Sequence, residues 1–255
     1  MNNRGKVVVI TTYLTTTIIL PLLSFSSEVT IIVVSFYSSL FFLGLLWYWI
    51  GSKTVLHKQK VKFMANQDCT ELKNEIHKLT KKSRITAKIQ ICLLDDALPN
   101  AFTLFLGPHN YLIVFSVGIF ENLSSEEVQS VAAHEISHIK NKDVFLKAFF
   151  IIGRYCSFPL GPLMESFVSR HREFRADEES AHLTGNPIAL ASALIKMAKC
   201  YQTQPNLDFK APVGRSFLII DSPLKSYHGK LGNLFSRHPT IEDRVKKLME
   251  LSRTI

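Results

Sequence analysis

Apolar residues crowd the start of the chain and then spread at helical or strand spacing through the rest. Residues 7–24 and 29–50 form two nearly charge-free apolar runs, each within the roughly 17 to 25 residues that carry a helix across a bilayer. The first is the weaker span, rich in Thr and broken by Pro21. Arg4 and Lys6 before it fit a signal peptide, but no A-x-A-like cleavage site follows. The pattern predicts two transmembrane helices, at about 7–24 and 29–50, within an anchor spanning 1–52. A domain over 53–255 follows, and its roughly 200 residues are enough to bury one core.

In that domain Leu72, Ile76 and Leu79 recur at helical spacing and predict a helix over 71–81. Residues 89–94, 101–106 and 111–116 read as strands, the last two joined by the turn Gly107-Pro108-His109-Asn110. Ser124-Ser125-Glu126-Glu127 has the form of a capping box, in which Ser124 caps the backbone and Glu127 reaches back to it. Val128, Val131, Ala132 and Ile136 then mark the buried stripe of the helix so opened. Two further helices are expected, over 188–201 after Asn186-Pro187 and over 240–251, capped by Thr240 with Asp243. The fold class is therefore α+β, mainly helical with a small β-sheet before the capped helix.

One apolar stretch, 144–169, is too broken to cross a membrane twice. Lys147, Arg154 and Glu165 interrupt it, as do Gly153, Pro159, Gly161 and Pro162. It reads as a short, apolar helical hairpin that touches the membrane interface through Phe149, Phe150, Ile151 and Ile152.

Charge orients the anchor. Arg4 and Lys6 flank the first run, the loop over 25–28 has no Lys or Arg, and Lys53, Lys58, Lys60 and Lys62 follow the second. The positive-inside rule places both ends, and with them the domain over 53–255, in the cytoplasm of a multi-pass cell-membrane protein. Trp47, Tyr48 and Trp49 stand where an aromatic belt is expected. The formal net charge of +9 suits anionic lipid head groups. No nucleic-acid-binding module is recognisable. The four cysteines, at 69, 92, 156 and 200, lack the C-x-x-C spacing of a zinc knuckle or redox site.

The chemistry centres on His134-Glu135-Ile136-Ser137-His138, inside the capped helix. H-E-x-x-H puts two imidazoles on one helical face, one turn apart, where both can reach a single metal, with Glu135 beside it as a base for bound water. A hydrolytic zinc takes a third protein ligand and keeps a fourth position for water. Glu173 is the best candidate, and Asp177, four residues on, shares its helical face and can orient a ligand histidine through the ring N–H. Arg170, His171, Arg172, Arg175, Glu178 and Glu179 crowd the same segment, so the residues alone also allow an ordinary charged surface face.

H-E-x-x-H followed by Arg172-Glu173-Phe174-Arg175-Ala176-Asp177 resembles the membrane zinc metallopeptidases that include HtpX and the CAAX prenyl proteases, a gluzincin group. Leu98-Pro99-Asn100-Ala101-Phe102, Ile139-Lys140-Asn141-Lys142-Asp143, and Arg237-His238-Pro239 with Arg244 extend the resemblance over roughly residues 60 to 251. The resemblance implies a zincin-like catalytic domain holding one Zn2+ on His134, His138 and Glu173, with Glu135 as catalytic base and Asp177 supporting a ligand. It also implies that the strand from Asn100 lies beside the zinc and takes a polypeptide substrate as an added strand, although a plain buried strand pair fits those residues too. His238 could orient substrate or stabilise the oxyanion, and Arg244 is expected to hold its segment by a salt bridge. The activity implied is that of a membrane-anchored zinc endopeptidase in HtpX-like quality control of misfolded or membrane proteins. Prenyl-protein processing and a catalytically silent zinc-binding scaffold are the alternatives.

Overall fold

The computed structural model describes residues 62–63, 70–107, 109–143, 160–203 and 239–255, together with scattered positions between 28 and 42. The first apolar run, most of the second, residues 144–159, Cys69, Cys156, Arg237 and His238 lie outside the described residues.

Strand β1 (Lys62–Phe63) and helix α1 (Thr70–Lys82) precede β2 (Lys88–Leu94), β3 (Ala101–Gly107) and β4 (Asn110–Ser116). Helices α2 (Val117–Asn122), α3 (Ser125–Lys140), α4 (Leu160–Thr184), α5 (Pro187–Thr203) and α6 (Ile241–Leu251) follow. This is the mainly helical α+β arrangement expected, with α2 an addition that the apolar spacing did not reveal. Among the described residues no helix is long and apolar enough to cross a membrane.

The sheet runs in the order β1-β2-β4-β3. β3 and β4 form the expected antiparallel hairpin, in which Gly107 adopts φ +152°, a conformation open to glycine. β2 instead pairs with β4 in parallel, so β4 is central and β3 is the terminal strand. Alternation then sorts the strand residues onto two faces. Tyr111, Ile113 and Phe115 point into the main core with Ile76 and Leu79 of α1, Ile136 of α3 and Leu190 and Leu194 of α5. Cys92, Leu94, Phe102, Leu104, Leu112 and Val114 make a second apolar cluster on the other face, where burial pushes the Cys92 thiol up to about 11.

After β4 the chain turns without a gap into α2. Gly118 is needed there because a Cβ would fall 1.9 Å from the Ala97 carbonyl oxygen, and its own N–H donates to the Asp96 carbonyl at 2.9 Å. Ser124 then opens α3 with the full capping box: its hydroxyl accepts from the Glu127 N–H and the Glu127 carboxylate accepts from the Ser124 N–H. Such a cap stabilises by about 0.5–2 kcal/mol. The Glu127 carboxylate also accepts from Ser192 at 2.6 Å and Lys196 at 2.8 Å, tying the start of α3 to α5.

α4 differs from expectation in extent. Residues 160–169, read as part of a short helical hairpin, belong to one helix that runs on without a break into the segment carrying Glu173 and Asp177. That segment is no solvated face: Glu173, Ala176, Asp177, Ser180 and Ala181 are all buried. Both helices carry small buried residues, Ala132 and Ala133 on α3 with Ala176 and Ala181 on α4, and the Ser180 hydroxyl joins them by donating to the Ser130 carbonyl at 2.7 Å.

Candidate metal centre

The helical ladder of α3 alone brings His134 and His138 together, with their Nε2 atoms 3.1 Å apart. Glu173, delivered by α4, closes the triangle: Oε2 is 3.5 Å from His134 Nε2 and Oε1 is 3.6 Å from His138 Nε2. Four-coordinate zinc with bonds of about 2.05 Å places neighbouring ligand atoms about 3.3 Å apart. The two Glu173 distances run to different carboxylate oxygens; one ligand atom from each of the three side chains lies within 4.8 Å of the others, and among the described residues these side chains form the cluster able to hold a metal.

The Nδ1 atom of each imidazole faces a buried carboxylate. His134 Nδ1 lies 3.0 Å from Asp177 Oδ1, an ionic contact whose angle falls outside hydrogen-bond geometry. His138 Nδ1 lies 3.1 Å from Asp143 Oδ2 in a hydrogen bond. With His138 Nδ1 hydrogen-bonded to Asp143 and Asp177 facing His134 Nδ1, the Nε2 atoms are the ones turned toward the shared point, an arrangement that suits a metal-binding imidazole.

Each carboxylate is in turn gripped by an arginine. Arg244 of α6 donates from Nε (2.8 Å) and Nη2 (2.6 Å) to the two Asp177 oxygens, and its Nη1 lies 3.7 Å from Glu173 Oε2. Arg175 of α4 donates from Nη2 to both Asp143 oxygens, at 2.7 and 2.8 Å. Burial pushes the Asp177 carboxyl up, but the Arg244 charge and the Arg244 and His134 contacts outweigh it and hold it below the ordinary value. Asp143 behaves alike: burial raises it, whereas His138, Arg172 and Arg175 lower it further. For His134 burial acts downward, and Asp177 and Glu173 overcome it, raising the metal-free imidazole to about 9.

Glu135 is also buried, and its Oε2 accepts a 2.8 Å hydrogen bond from the Thr103 hydroxyl on β3. Four carboxylates, Glu135, Asp143, Glu173 and Asp177, thus face three arginines, Arg172, Arg175 and Arg244, leaving negative charge in excess in a buried site. A divalent cation is the partner such a site suits.

The structure therefore brings His134, Glu135, His138, Glu173, Asp177 and Arg244 into one cluster. Asn100 stands immediately before β3, its backbone N–H donating to the Ser116 hydroxyl at 2.7 Å and its carbonyl accepting from the Ser116 N–H at 2.8 Å. The Asn100 side-chain amide is buried and makes no hydrogen bond among the described residues. Asp143 and Arg175 went unassigned in the sequence reading, although both lie inside its motifs. The available signal was the placement of Asp143 just past the end of α3, where Lys142 takes φ +56° and folds the chain back toward His138.

Two histidines one turn apart, a carboxylate from a second helix and a buried glutamate beside them define a metal-dependent hydrolase centre of the H-E-x-x-H class. The family model described as Peptidase family M48 matches residues 66–252, and the chain belongs to that family; it is a metallopeptidase. It is 27% identical over 246 residues to a protease HtpX homolog of Pyrococcus abyssi, with 83% of each chain covered. A second HtpX homolog, from Salinibacter ruber, is 28% identical over 232 residues, covering 80% of this chain and 83% of that one. Among solved structures, S. mikatae Ste24p shares the fold with a TM-score of 0.54 at 21% identity. That match covers 82% of this chain, which spans only 56% of the Ste24p chain.

Proposed function

We propose that the protein is a membrane-anchored zinc endopeptidase, with one Zn2+ per chain on His134, His138 and Glu173, that cleaves misfolded or membrane polypeptides in HtpX-like quality control. The observation that carries this reading is the convergence of those three side chains from two helices, one ligand atom of each lying within 4.8 Å of the others, around a point one ion could share. Zinc held there would lower the pKa of bound water and polarise the scissile carbonyl. Glu135 accepts the proton of the attacking water and delivers it to the leaving amine. Asp177 and Asp143 hold the two imidazoles in orientation, and Arg244 and Arg175 keep those carboxylates charged and fixed.

β3 ends the sheet opposite β1 among the described residues, the position a substrate strand would extend; Ala101 to Leu104 are buried and Phe105 to Gly107 partly exposed, and the buried Asn100 amide is a donor and acceptor that a bound strand could use. His238 remains the candidate for orienting substrate or stabilising the oxyanion, two residues before the cap of the helix that delivers Arg244.

The membrane anchor rests on the two apolar runs and on the described positions between 28 and 42. Those positions are helical, yet Ile31, Ile32, Phe36 and Phe42 are 60–67% exposed, a surface suited to lipid. The Ser39 hydroxyl donates to the Ser35 carbonyl at 2.8 Å, satisfying it within the helix as a bilayer requires. The lysines after residue 52 support, by the positive-inside rule, a catalytic domain on the cytoplasmic side. The HtpX-like role is favoured over prenyl-protein processing by the curated relatives, protease HtpX homologs that match 80–83% of this chain.

The test compares wild type with Glu135→Gln in membranes. The variant keeps zinc by metal analysis and loses nearly all cleavage of fluorescein-labelled casein. Cleavage at the wild-type rate would remove Glu135 from the role of base, whereas a zinc-loaded wild type that cleaves no unfolded or membrane protein would point to a silent scaffold.

A further inference from the structure

We infer that Thr103 is a positioning residue for Glu135, coupling the strand that receives substrate to the base that works on it. This rests on the reading of Glu135 as the base. Thr103 lies in the middle of β3, opposite Ile113 of β4, and alternation points it to the helical face of the sheet while Phe102 and Leu104 point to the other. It is the polar side chain on that face of a strand otherwise contributing Ala101 and Phe105 to the main core. Its hydroxyl donates to Glu135 Oε2 at 2.8 Å, with both residues buried.

A hydrogen bond to a buried carboxylate fixes its rotamer and divides the labour of its oxygens. Oε2 is occupied by Thr103, while no described residue donates to Oε1, which is left for the water whose proton Glu135 takes. A substrate strand added along β3 sets the height and tilt of that strand. Through Thr103 it also sets where Glu135 stands relative to His134 and His138, so a well-registered peptide places the base best.

The experiment uses the zinc-loaded full chain in detergent with fluorescein-labelled casein, resolving kcat and KM for Thr103→Val, Thr103→Ala, Thr103→Ser and Glu135→Gln. Val and Ala should each lower kcat about 10-fold with KM within about twofold, and Ser, which restores the hydroxyl, should stay within about threefold of wild type. Unfolding midpoints of Thr103→Val, Glu135→Leu and the double variant should be non-additive by about 2–4 °C, a readout of the bond independent of turnover. Wild-type kcat in Val and Ala while Glu135→Gln is silent would overturn the inference and leave the base intact. Equal losses in Val, Ala and Ser, or additive midpoints, would show that the hydroxyl is not the active feature and would overturn it too. Wild-type turnover in Glu135→Gln would instead remove the base itself, and the positioning role with it.

Discussion

The two helices that carry the proposed metal ligands, α3 and α4, are held in place by different physics. α3 carries its own instructions: a capping box at Ser124 and Glu127 starts it, and the spacing of His134 and His138 sets their Nε2 atoms 3.1 Å apart through the backbone ladder alone. α4 contributes Glu173 and Asp177, whose usefulness comes from elsewhere. Their charge is matched by Arg244, 67 residues beyond Asp177, and their helix is pinned to α3 by Ser180 on Ser130, Glu179 on Ser137 and Arg175 on Asp143. A local motif can position two ligands; the third is positioned by the folded domain.

That contrast is broken most sharply at Arg244. Arg244→Met should leave Asp177 charged, buried and unmatched, costing about 3–5 kcal/mol of stability. A fall in the thermal midpoint, with α3 helicity persisting after the site is lost, checks it. Asp143→Asn should act more gently, because it weakens the orientation of one ligand and releases Arg175. Zinc affinity measured by chelator competition should fall about 10- to 100-fold.

The smallest effect belongs to the cap of α3. Glu127→Gln should cost about 1–2 kcal/mol by denaturant titration, since it weakens charged hydrogen bonds without leaving the site empty. Burial raises the Glu127 carboxyl, but Lys196, Ser192 and the Ser124 N–H overcome this and hold it below its ordinary 4.5. A folded-state pKa below the unfolded value stabilises at pH above 4.5 and ceases to do so as the pH falls through the lowered folded value. The gap between wild type and Glu127→Gln should therefore be full at neutral pH and close in acid.

The same division explains what could be read from the chain. The capping box, the H-E-x-x-H pair and the strands over 89–94, 101–106 and 111–116 were legible because each is written in residues within one or two turns of one another. The parallel pairing of β2 with β4, which leaves β3 terminal, was not, because alternation gives the faces of a strand and not its neighbours. The Arg172–Glu179 segment looked like a solvated charge run because composition cannot show that Asp177 meets Arg244 or that Asp143 meets Arg175. Thr103 was invisible for the same reason: its partner lies 32 residues away on another element.

The central claim is that α3 and α4 jointly hold a single ion, and zinc binding by Glu173→Ala tests it most directly. Wild type should bind one Zn2+ per chain, and the variant, with α3 and both histidines intact, should bind it more than about 100-fold more weakly. Wild-type zinc affinity in Glu173→Ala would contradict the account, since the histidine pair of α3 would then hold the metal without the carboxylate of α4.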